Sequence, residues 1–319
     1  MKSLSFVLIL ALAGLAGSSA ASACSACGCS LSSDWGLQAY AGSAGTVSSL
    51  RFEYFDQDNL RRGTQSVNRS LFSFPADQEI QQSTVNRIAW FQFDRVFTPA
   101  WALSVQVPFY DRDHATVAEG DTAVSTSRTR GFGDAKVIGR FQVRESLFSS
   151  WNLQLGLKLP SGRFDQNFAT GPQAGTLLDR GLQLGTGTTD LIVGGGWYGR
   201  PQPALGVFAQ VLADQPLAAR AGFIPGSSVT VSDGLRWLNS SSFTPEMQLN
   251  VNWQGREHGP EADTPNSGGT LAYLSPGITA DLSRTVSAFA FVQLPVYQRV
   301  NGLQLEPHWL LSTGLNWRW

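Results

Sequence analysis

"WNLQLGLKLP" spans residues 151 to 160 and alternates without a break. Trp151, Leu153, Leu155, Leu157 and Leu159 fall on one side, and Asn152, Gln154, Gly156 and Lys158 on the other. Successive side chains of a strand point to opposite faces, so a period of two makes this stretch a β-strand with one apolar and one wet face. Three more stretches read the same way. In "MQLNVNWQ" (247–254), Met247, Leu249, Val251 and Trp253 oppose Gln248, Asn250, Asn252 and Gln254. "ALSVQVPFY" (102–110) sets Leu103, Val105, Val107 and Phe109 against Ser104, Gln106, Pro108 and Tyr110. "DAKVIGRFQV" (134–143) sets Ala135, Val137, Gly139, Phe141 and Val143 against Asp134, Lys136, Arg140 and Gln142.

Extended outward, this reading divides the chain into about twelve strands of roughly 10 to 14 residues, a length suited to tilted membrane strands. The strands are expected to begin near Val47, Val85, Trp101, Phe132, Trp151, Thr188, Ala204, Val229, Glu246, Gly269, Thr285 and Gln304. Short turns fall at "FTPAW", "RESLFS", "GRPQP", "SSSFTP" and "DLSR"; long polar connections fall near 58–83, 113–130, 161–186, 214–228 and 257–267. Short turns on one side and long loops on the other are the stringing of an outer-membrane barrel, and only "VNGLQ" departs from it. A soluble sandwich buries its apolar face against a second sheet and does not sort its connections by length.

Composition agrees. Charged residues are 15% and the formal net charge is −1, which leaves no basic patch for nucleic acid. The chain carries 10 Trp and 33 Gly, yet no run after the leader has the length of a spanning helix. Phe97, Trp101, Trp151, Trp197, Tyr198, Trp317 and Trp319 stand beside the short turns or the C-terminus, where an interfacial girdle needs them. The expected fold is an all-β, up-and-down antiparallel transmembrane barrel over residues 46–319, embedded in outer-membrane lipids.

The start of the chain has a different character. Residues 1–23, "MKSLSFVLILALAGLAGSSAASA", read as a secretory signal peptide ending in an A-x-A site. Residues 24–45 then form an N-terminal segment at the periplasmic mouth or a plug, and Gly194, Gly195 and Gly196 offer a place where it can approach the wall. That segment holds all three cysteines, Cys24, Cys27 and Cys29. A c-type haem is excluded because Gly28, not His, follows Cys27, and three thiols do not complete a cluster that takes four ligands. Coordination of Cu(I) or Zn, lipidation of Cys24, and a disulfide leaving one free thiol remain as readings.

"LLSTGLNWRW" (310–319) ends the chain on Trp319, and it resembles the C-terminal signature that the barrel-assembly machinery of Gram-negative bacteria reads. "GFGDAKVIGRFQ" (131–142) and "FVQLPVYQRVNGLQL" (291–305) resemble the outer-membrane channels associated with meta-cleavage phenol-degradation pathways. The resemblance runs from about Leu50 to the end and implies a transporter in the outer membrane of a Gram-negative bacterium.

The wet face supplies the candidate lumen: Arg51, Glu53, Asp94, Asp134, Lys136, Arg140, Lys158 and Asp190, with mixed signs that suggest internal ion pairs. Such charges either line a path or hold a narrow barrel shut. Catalysis is not expected. One twelve-stranded outer-membrane family is a phospholipase needing His and Ser close together on one strand, and none of His114, His258 and His308 has a Ser two residues on. The expected function is passive passage of a small solute; the competing readings are a metal- or redox-linked protein built on the cysteines, and a purely structural barrel.

Overall fold

A computed structural model describes residues 45–146, 148–238 and 242–319. The leader, the cysteine cluster and almost all of the 24–45 segment lie outside the described residues. Twelve antiparallel strands form one closed sheet, each hydrogen-bonded to its neighbours in sequence. They are β1 (Gly45–Gly63), β2 (Ile80–Thr98), β3 (Trp101–Val117), β4 (Ser125–Phe132, continued by Ala135–Glu145), β5 (Ser149–Leu159), β6 (Asp190–Gln202), β7 (Leu205–Pro216), β8 (Ser228–Trp237), β9 (Phe243–Gln254), β10 (Gly269–Asp281), β11 (Val286–Pro307) and β12 (Leu310–Arg318). Gln65–Ser66 adds a short spur to β1.

Closure pairs β12 with β1 from Val47↔Arg318 to Tyr54↔Leu311, and Trp319 N donates to Thr46 O at 3.0 Å. Above that, the end of β11 takes over as the partner of β1, from Gln57↔Pro307 to Arg62↔Leu303. Both pairings with β1 are antiparallel, whereas the first part of β11 is antiparallel to β12. The chain therefore reverses inside the β11 span, at Asn301 and Gly302, and residues 303–307 continue into β12. Gly302 has φ 61°, and a Cβ there would strike the Asn266 side chain, whose Oδ1 accepts Leu303 N at 2.8 Å. Glycine fits this turn because it alone takes positive φ without a Cβ penalty. A barrel without a free edge satisfies every backbone group of its wall, as a membrane requires.

Two loops are shorter than the sequence indicates. β1 and β2 run to Gly63 and from Ile80, leaving 64–79 in place of 58–83, and β3 and β4 leave 118–124 in place of 113–130. These hairpins continue above the membrane band, where both faces are wet. The change shows on β3, whose outward row runs Leu103, Val105, Val107, Phe109 and then Asp111 and Asp113. Asp111 and Asp113 pair with Arg128 and Arg87 on neighbouring strands, so backbone pairing persists after hydrophobic alternation has stopped.

The outer belt is apolar. Leu153, Leu155 and Leu157 are 58, 63 and 40% exposed on β5. Near the short-turn rim, Trp151 lies 6.1 Å from Trp197 and Trp101 lies 4.7 Å from Phe141, ring to ring. Such exposure in water would be costly over this area, but in lipid it is the favourable arrangement.

Candidate functional site: a constricted lumen

The inward rows are polar and buried. On β5, Asn152, Gln154 and Lys158 point inside, opposite the leucines. Arg51, Glu53, Asp94, Asp134, Lys158 and Asp190 are each at most 9% exposed, while Lys136 and Arg140 are half-buried on the inner face of β4. Arg51 Nε lies 3.2 Å from Glu53 on the same strand, and its guanidinium stacks 5.3 Å from the Trp90 ring, whose Nε1 donates to Glu53 at 2.8 Å. Gln92 donates to both Asp94 oxygens, at 3.1 and 2.9 Å. Lys158 pairs with Asp190, its register partner on β6. Lys136, opposite Lys158 in register, turns from that like charge and reaches Asp214 of β7 at 3.4 Å. Arg140 makes no ion pair among the described residues.

The most consequential feature is the connection 160–189 between β5 and β6. It folds inward, so that Leu178, Arg180, Leu182, Gln183 and Leu184 are all buried. Asp134 holds both its legs. Asp134 Oδ1 accepts Gly162 N at 2.9 Å on the outgoing leg; Oδ2 accepts Thr186 N at 2.8 Å and Thr186 Oγ1 at 3.0 Å on the returning leg. Lys158 Nζ adds a charge contact at 3.9 Å. β4 is interrupted just here, at Gly133 and Asp134, although Gly133 N still donates to Pro108 O at 2.9 Å. A Cβ on Gly133 would run into the Tyr110 ring and meet the Leu184 carbonyl at 2.9 Å, so the glycine makes room for the loop. "GFGD" (131–134) is thus a break in a strand that frees one carboxylate to catch a loop.

Between this loop and the walls of β1 to β9 lies a cavity of about 310 Å³. Trp90, Tyr110 and Phe55 give it an aromatic side, and Arg112, Lys136, Asp190 and Asp214 a charged one. Arg112 is buried, donates to Asn86 Oδ1 at 2.7 Å and Gly181 O at 3.3 Å, and stacks 5.3 Å from Tyr110. Arg112 and Asp214 add to the inward charges expected from the sequence: Arg112 sits on a wet row of β3, whereas Asp214 follows Phe208 and Leu212 on a mixed one.

Leu212 covers Gly194, and Asn152 Nδ2 comes within 3.1 Å of a Cβ position on Gly196; the 24–45 segment expected to approach these glycines lies almost wholly outside the described residues. His114 is buried, with Nδ1 2.8 Å from Thr84 Oγ1; among the described residues no serine bonds to it.

Outside the membrane band, Asp179 of the inward loop lies near Asp263. Loss of hydration, then the Asp263 charge, raises its pKa to about 7, against a lowering hydrogen bond with Glu79.

No family model and no curated protein matches this chain. Among solved structures, an outer membrane channel from Pseudomonas putida F1 superposes with a TM-score of 0.65 at 10% identity, over 88% of this chain and 98% of that one. The NanC porin superposes with a TM-score of 0.47 at 8% identity, over 85% and 98%. The likeness to the Pseudomonas putida channel, at 10% identity, establishes the fold: the chain has the architecture of outer-membrane barrels.

Proposed function

We propose that this protein is a passive channel for small solutes in the outer membrane of a Gram-negative bacterium, with its short turns in the periplasm. The observation that carries the reading is the cavity of about 310 Å³, walled by charged and aromatic side chains inside an apolar-belted cylinder. Twelve strands enclose a lumen between that of filled eight-stranded barrels and that of open sixteen-stranded porins. The ion pairs run mostly along the wall and not across it, which leaves room for a path. The 160–189 loop then sets the narrowest point, with Asp134 fixing its position. The likeness of residues 131–142 and 291–305 to the channels of meta-cleavage phenol-degradation pathways supports an organic solute. The test is uptake: liposomes containing the refolded protein should swell in solutions of small polar solutes and not of large oligosaccharides. Liposomes that stay impermeable to both would leave a structural barrel.

A further inference from the structure

Arg180 stands out among the cavity's cations. Lys136 and Lys158 each have a carboxylate within 4 Å. Arg180 has none among the described residues, although it is 6% exposed and lines the cavity. Its guanidinium packs against two rings, 4.4 Å from Phe164 and 4.8 Å from Phe223. Nη2 donates to Thr186 O at 2.7 Å, whereas Nε and Nη1 find no acceptor among the described residues. Burial lowers its pKa from the ordinary arginine value, while Glu261 and Glu257 favour the charge from beyond ion-pair distance.

This is an unusual environment for a structural arginine. A buried cation without a counter-ion is costly, and cation–π contact offsets only part of that. The two rings take up apolar contact with the guanidinium and leave its unpartnered N–H donors for a ligand. An arginine edge is a planar fork of N–H donors, the shape that matches a carboxylate or a related oxyanion. Of the other carboxylates in the lining, Asp214 is taken by Lys136, Asp134 and Asp190 by Lys158 and Glu53 by Arg51, while Glu257 stays beyond ion-pair distance of Arg180.

We propose that Arg180 is an oxyanion-binding station at the constriction, so that solutes bearing a carboxylate or similar group are held there in transit. The inference rests on the channel reading and names the solute chemistry it favours. The station moves with the loop that Asp134 anchors, which ties recognition to the narrowest point.

The test uses single channels of the full-length protein in planar bilayers, with glutarate, a small dicarboxylate, added to potassium chloride. Glutarate should reduce the wild-type current in a saturable way. Arg180→Gln should weaken that effect about tenfold, as expected for the loss of a charge-assisted hydrogen bond. Arg180→Lys should restore part of it. Arg163→Gln removes the same charge from the same loop, at a residue exposed and paired with Asp165, and should match wild type. Heat-modifiable gel mobility verifies that each barrel is folded. Equal glutarate sensitivity in wild type and Arg180→Gln overturns the station while leaving a conducting channel intact. A folded wild-type protein that does not conduct overturns the channel reading, and the station with it.

Discussion

Strands β5 and β8 stand three apart in one wall, and their outward rows differ in polarity at the middle position alone. On β5 the row is Trp151, Leu153, Leu155, Leu157 and Leu159. On β8 it is Val229, Val231, Asp233, Leu235 and Trp237, so a carboxylate takes the place of a central leucine. Register sets Asp233 opposite Leu249 and Ala209, both outward. It lies four residues from Trp237 and, through Val229↔Trp253, four from the far aromatic, about 10 Å from each given strand rise and tilt. Asp233 makes no hydrogen bond or ion pair among the described residues. The contrast teaches that the belt is apolar on average and not residue by residue. It also separates carboxylates by surroundings: Asp233 bare against the membrane, Asp134 saturated by donors, Asp179 crowded by Asp263.

Substitutions on β5 give the largest effect. Leu155→Arg puts a cation near the bilayer midplane and should cost about 2–4 kcal/mol in urea unfolding from lipid vesicles. Gln154→Arg, one residue away but facing the lumen, should leave stability nearly unchanged and alter conductance only. Equal damage from both would undo the inside–outside assignment of this strand.

Asp134→Ala tests the saturated carboxylate. Removing an acceptor that serves three donors on the two loop legs should cost about 1–3 kcal/mol, read by unfolding of the same vesicle-bound protein. The 160–189 loop should also become open to protease at low enzyme concentrations.

Asp233→Leu should act with the opposite sign. Restoring the apolar row should stabilise the barrel by less than about 2 kcal/mol, since acidic residues on the lipid face cost less than arginine or lysine. A destabilising Asp233→Leu would mean that the carboxylate has a favourable contact outside this chain.

The third carboxylate gives a pH dependence of the 160–189 loop. Asp179 has a folded pKa of about 7, above its ordinary value near 4. The folded state then binds its proton more tightly than the unfolded one, so its contribution is fully present at low pH. It is lost as pH rises from about 4 through about 7. Protection factors of the 160–189 amides, corrected for the intrinsic rise of exchange with pH, should therefore fall over that range, and Asp179→Asn should flatten the dependence.

Where one face meets lipid and the other water, sequence reading worked well. The β5 alternation, the short turns and the strand starts at Trp101 and Gly269 all follow from a period of two, and the structure starts strands at those residues. It failed where the two faces are alike: β1 to β4 rise beyond the membrane with polar residues on both sides, so alternation ends before pairing does. The inward fold of 160–189 was not legible, because it rests on Asp134 meeting backbone amides 28 and 52 residues away. "GFGD" stands at the head of the 131–142 likeness, but nothing local says what its carboxylate holds. The pair Lys136–Asp214 crosses two intervening strands, a distance that adjacent-strand reasoning does not reach.

The central claim is that a wet path runs through this barrel and that the Asp134-anchored loop narrows it. Single-channel conductance of wild type and Asp134→Ala, measured in planar bilayers under identical potassium chloride, tests it most directly. Wild type should give small discrete steps, and the released loop larger, noisier ones. Indistinguishable steps from the two proteins, or none from either when both are folded, would contradict it.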